Sequence, residues 1–134
     1  MNAISHQDTL VYLMVSVSAA DRNMGENEML RIGNIVKTLP VFSGYGSEQL
    51  VNAAKACRDI LQADEGLETV LGFAALLPEN LKSTAYALSA EIAAADLSVT
   101  VEEVRLLQML RNHLGLDKLT CAALELSARA RHQT

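Results

Sequence analysis

The chain carries no tryptophan, and its three Tyr and two Phe amount to only 4% of 134 residues. No cluster of large rings can organise the interior, so Leu, Ala, Val, Ile and Met must fill it, a composition that favours helices over sheets. Cysteine is scarce too. Cys57 and Cys121 stand far apart with no CxxC pair and no neighbouring His, which argues against a zinc site or redox motif and reads as two buried thiols in a reducing compartment. Against a net charge of −5 there is no block of Lys or Arg to track a phosphate backbone or an anionic bilayer, which excludes general nucleic-acid binding and membrane-surface attachment. No alternating strand pattern of useful length occurs, and no low-complexity segment or polar linker divides the chain. Catalytic signatures are missing as well. There is no HExxH, no GxSxG elbow, and His6, His113 and His132 lie in different elements; Gly44-Tyr45-Gly46 lacks the further glycines and the strand that a phosphate loop needs.

What remains is an apolar half of the residues distributed at helical spacing. The stretch Thr9 to Ala20 has the apolar character of a signal-peptide core, but no Lys or Arg precedes it and it is too short to span a bilayer, so it is expected to be a core helix of a cytoplasmic protein. A second helix is predicted from Glu26, with Met29, Ile32, Ile35, Val36 and Leu39 on one face, stopping before Pro40. Pro40 to Gly46 is expected to be a loop pinned by Phe42 and Tyr45, with Ser47 capping a third helix that turns Leu50, Ala53, Ala54, Cys57, Ile60 and Leu61 inward. After Asp64-Glu65-Gly66 a fourth helix uses Leu67, Val70, Leu71, Ala74 and Leu77, and Gly72 inside it is read as a point of close approach by a neighbour. A fifth helix from Pro78 or Glu79 aligns Leu81, Ala85, Leu88, Ile92 and Ala95, and a sixth after Thr100 aligns Val104, Leu107, Leu110 and Leu114, ending at Gly115. A seventh spans about Asp117 to Ala130, its Arg129, Arg131 and His132 complementing the helix macrodipole. The expectation is a single all-α domain over residues 1–134, a compact bundle of about seven helices.

Two segments of that bundle resemble each other. Ala20-Asp21-Arg22-Asn23-Met24-Gly25-Glu26-Asn27-Glu28 and Ala95-Asp96-Leu97-Ser98-Val99-Thr100-Val101-Glu102-Glu103 each close an Ala-rich helix with Asp, follow it with an apolar residue three positions on, and place Glu seven positions on. This predicts two pseudo-repeated helix-turn-helix halves, near 9–39 and 79–116. Capping chemistry accounts for the pattern. Thr100-x-x-Glu103 is a capping box, of which the first copy, with Gly25, keeps the carboxylate half. Asp21 and Asp96 suit Asx-type turns, with Met24 and Val99 stapling each loop to the core. The same oxygens admit a second role, because Asp21, Asn23 and Glu28, and more fully Asp96, Ser98, Thr100 and Glu103, alternate as a hard cation requires; the set is thinner than an EF-hand's, so divalent-cation affinity would be weak.

Pro78-Glu79-Asn80-Leu81-Lys82, Ala93-Ala94-Ala95-Asp96, Thr100-Val101-Glu102-Glu103 and Leu110-Arg111-Asn112-His113-Leu114-Gly115-Leu116 together resemble the tellurite-resistance TerB-like family. Its members share a helix ending in Ala-Asp-Gly, a short loop, a Glu opening the next helix and a Leu-Gly-Leu exit. The likeness covers about half of the chain, and Arg22 and Leu97 stand where the family has Gly. It implies an all-helical bacterial domain, sometimes fused to a DnaJ-type module, that is stress-associated, non-enzymatic and engaged with metal or protein partners through its acidic loops. On this chain those ligands would be Asp21, Glu28, Asp96 and Glu103, with no further cofactor. Two other readings compete: a carboxylate-rich helical metal-dependent hydrolase using Asp64, Glu65, Glu68 and Glu91, although the Glu-x-x-His motifs it needs are absent and solvated helix faces explain these carboxylates better, and a structural homodimer built on an exposed apolar helix face.

Overall fold

The computed structural model describes residues 4–20, 26–95 and 99–134. Seven α-helices and one 3₁₀ turn make up the bundle, and no strand occurs among the described residues. They are α1 (His6–Ala20), α2 (Glu26–Thr38), α3 (Ser47–Gln62), α4 (Gly66–Ala75), α5 (Glu79–Ala94), α6 (Val101–Leu114) and α7 (Lys118–His132). The expected all-α bundle is thus the observed one, whereas the duplication predicted from the two similar segments is not demonstrated by the fold.

Helix α1 is apolar on every side, and a helix without a polar face has to lie inside. Every residue from Thr9 to Ser18 is buried, with α2, α3, α4, α5 and α6 arranged around it. Its buried hydroxyls are met unevenly: Thr9 Oγ1 donates to the Ser5 carbonyl at 2.9 Å, Ser16 Oγ lies 3.8 Å from Cys57 Sγ of α3, and Ser18 Oγ has no partner among the described residues. Helix α5 is the second central element, burying Ala85, Tyr86, Leu88, Ser89, Ala90, Ile92, Ala93 and Ala94. Small side chains on α5 let α7 come close, and Ala90, Ala94 and Ala128 form their own apolar cluster between the two helices.

The connection 40–46 contains a 3₁₀ turn, Pro40–Phe42, where an irregular loop was expected. Its aromatics do anchor it. Phe42 and Tyr45 are buried with ring centroids 5.6 Å apart, and Tyr45 Oη donates to Asp8 Oδ1 at 2.6 Å. Gly46, not Ser47, is the N-cap of α3, and the Gln49 side chain accepts its N–H at 2.8 Å.

Glycine is used differently at two positions of α4. A Cβ on Gly66 would stand 2.0 Å from the Ile60 carbonyl oxygen, so the tight α3–α4 corner admits no side chain there. Gly72 has nothing within 4 Å of where its Cβ would be and is exposed, which corrects the expectation that a neighbouring helix approaches it. The inner face of α6 keeps the expected Leu107, Leu110 and Leu114 but not Val104. Glu103, Leu106, Leu107, Leu110 and Leu114 are buried while Val104 is 44% exposed, because the carboxylate of Glu103 occupies the inward position that hydrophobicity alone would assign to Val104. Gly115 closes α6 in the left-handed conformation at φ 68°, as its place after Leu114 predicted. No described helix is long and apolar enough to cross a membrane.

Candidate functional site

The residues singled out as ligands begin with the two turns. Asp21 and Asp96, together with Asn23, Met24, Gly25 and Ser98, lie outside the described residues. Glu28 sits half-buried in the first turn of α2. Glu103 opens α6 at 3% exposure. The predicted capping box is present. Thr100 Oγ1 accepts the Glu103 N–H at 3.1 Å, and Glu103 Oε1 accepts the Thr100 N–H at 2.9 Å and the Thr100 hydroxyl at 3.2 Å. These bonds satisfy donors that a helix start leaves open and place a negative charge at the positive end of the helix dipole. Val99, expected to staple the turn to the core, is 42% exposed.

Beside that turn a groove of about 250 Å³ runs between α5, α6 and α7, floored by Ala90, Ala94 and Leu107 and edged by Val99 and Val104. At one end the buried Tyr86 donates its hydroxyl to Glu125 of α7. Burial first, and then the Glu125 carboxylate, pushes the Tyr86 phenol far above its ordinary value, so it acts as a fixed donor.

A larger groove of about 410 Å³ lies between α2, α5 and the end of α7. On its rim Glu91 of α5 receives both Arg131 and His132 of α7, one on each carboxylate oxygen. Burial works to raise the Glu91 pKa, but the hydrogen bonds and charges of Arg131 and His132 outweigh it and the carboxyl is held below its ordinary value. Arg131 also donates to Ser127 Oγ at 2.6 Å. The basic end of α7 is therefore a clamp onto α5, which goes beyond the macrodipole role expected of it. Sequence reasoning had also placed Glu91 on a solvated face. The signal that could have found the clamp is that Glu91 is the sole charge between Ser83 and Ala95, a stretch in which Ala is the commonest residue.

The other carboxylates of the hydrolase reading do not gather. Asp64, Glu65 and Glu68 are exposed around the α3–α4 corner, and among the described residues no group of three or more His, Cys, Asp or Glu could hold a metal ion. His113 points its Nδ1 at the Met109 carbonyl, 2.9 Å away within its own helix. Both cysteines are buried and free, as expected. Cys57 donates to the Tyr12 carbonyl at 3.5 Å, and burial lifts its thiol to about 11, which makes it a packing residue and a poor nucleophile.

No family model matches the chain, and neither a curated protein nor a solved structure is significantly similar to it.

Proposed function

We propose that this chain is a non-enzymatic, TerB-like interaction module of the stress-associated type, and that it meets its protein partner through α7. The observation that carries this reading is a second apolar face on that helix. Cys121 and Ala128 face inward, while Leu119, Ala122, Ala123, Leu126 and Ala130 form an exposed stripe at helical spacing, with Leu119 80% and Leu126 61% exposed. Single exposed leucines are ordinary, but two of them with three alanines on one helix face make a contiguous surface of the kind that helix–helix contacts cover. The test is capture by the tagged protein in a bacterial lysate, compared with the variant Leu119→Glu/Leu126→Glu, alongside the mass in solution over a range of concentrations. The variant is expected to keep its melting temperature and lose its captured protein. Equal capture by both forms would overturn the α7 assignment, and a concentration-dependent doubling of mass that the variant abolishes would make the partner a second copy.

A second reading is weak divalent-cation binding through Asp21, Glu28, Asp96 and Glu103. It is supported by the oxygens that the start of α6 brings together, the Glu103 carboxylate and the Thr100 hydroxyl 3.2 Å apart. Calorimetric titration with calcium, magnesium, manganese and zinc is expected to show saturable heat that Asp21→Ala/Asp96→Ala removes. Absence of heat in the wild-type protein would leave capping as the role of these residues.

A further inference from the structure

We propose that the groove between α2, α5 and the end of α7 is a binding site for a medium-chain carboxylate, with the hydrocarbon tail inside and the acid group on Arg31. The volume of about 410 Å³ falls within the range of roughly 300–1,000 Å³ occupied by small-molecule sites. Its walls are apolar where a tail would lie, with Ile35 of α2 and Leu39 just beyond that helix on one side and Leu88 and Ile92 of α5 on the other. Burying that tail is favourable because each methylene it carries leaves water for an apolar wall. Ala87 of α5 keeps the space open, because a larger side chain there would fill it.

The charge around the groove decides which head group fits. Glu91 is already matched by Arg131 and His132. Arg31, on the α2 side, enters no ion pair among the described residues, and Asn34 lines the groove one turn further along the same helix. The groove therefore presents one uncompensated guanidinium and an amide to its occupant, in a chain whose overall charge is −5. A guanidinium fork binds a carboxylate through two parallel N–H···O bonds. An uncharged amphiphile would leave Arg31 without a partner, and a cationic one would be repelled. The proposal is independent of the α7 stripe, since neither Leu119 nor Leu126 lines this groove.

The experiment is calorimetric titration of the full chain with dodecanoate below its micelle concentration, with dodecanol and dodecyltrimethylammonium as head-group controls. Saturable one-to-one binding of dodecanoate is expected, weakened at least tenfold by Arg31→Gln and abolished by Ala87→Phe. Dodecanol should bind at least tenfold more weakly, and the cationic amphiphile should give no saturable heat. Arg31 is half-buried and unpaired among the described residues, so Arg31→Gln keeps the test alive if Ala87→Phe disturbs folding. The proposal is overturned if dodecanoate does not saturate, if Arg31→Gln binds it as the wild type does, or if all three amphiphiles bind alike.

Discussion

Helices α1 and α7 are both 15 residues long and stand at opposite ends of the chain order, yet they are held in opposite ways. Helix α1 is surrounded, with ten consecutive buried residues and five other helices against it. Helix α7 lies chiefly on α5, buries fully only Cys121 and Ala128, and is fixed at its edges by polar contacts, Tyr86 to Glu125 and Arg131 with His132 to Glu91. Apolar burial is non-directional and accumulates with area, so α1 cannot leave without dissolving the core. A clamp of hydrogen bonds and charges is local and responds to pH, so α7 is the element expected to open first. An element that opens locally while the core persists suits a contact surface, which connects the packing of α7 to its proposed role.

Each cysteine reports on one side of this contrast, because Cys57 lies against α1 through Ser16 and Tyr12 while Cys121 belongs to α7. The largest effect is expected from Leu13→Ala, which empties a site 1% exposed in the middle of α1 and should cost about 2–5 kcal/mol in chemical denaturation. Thiol labelling of the folded protein should then accelerate at both cysteines. Glu91→Ala should cost less, about 1–2 kcal/mol, because Arg131 is half exposed and the clamp lies between a surface and a buried ion pair. Here labelling should accelerate at Cys121 alone. If Cys57 followed it equally, α7 would not be a separate unit.

Acid should imitate that variant. The pKa of Glu91 is lowered by folding, so the stabilisation it contributes is present above the unfolded carboxyl value of about 4.3 and drains away as the pH falls through the lower folded value. Hydrogen exchange of the α7 amides, corrected for intrinsic rates, should lose protection below that point before the amides of α1 do. The smallest expected effect is a gain. Gly72→Ala fills open space in a helix interior and should stabilise the protein by about 0.8–1 kcal/mol, slowing labelling at any cysteine exposed only by global unfolding.

Much of the fold was legible because helix periodicity and punctuation are local properties. The ends near Pro40 and at Gly115 follow from chain geometry that a sequence displays directly, as does the capping box of Thr100 and Glu103, whereas α4 ends at Ala75, short of the expected Leu77. The errors share one cause. Gly72 was assigned a neighbour, Val104 an inward face and Glu91 a solvated one, and each assignment depended on which helix packs against which side. In the candidate site, Thr100 and Glu103 could be placed from spacing alone, whereas the grooves and the Glu91 clamp join residues some forty or more positions apart.

Local signals along the chain are enough to make it helical, to set where most helices begin and end, and to bury its first helix, since capping, breaking and an all-round apolar surface act within a few residues. Helix packing is what clamps α7 to α5 at one edge and leaves its outer face apolar, turns Glu103 inward, and keeps open a groove lined by Arg31. Those outcomes depend on the relative rotation of packed helices, which no single helix encodes.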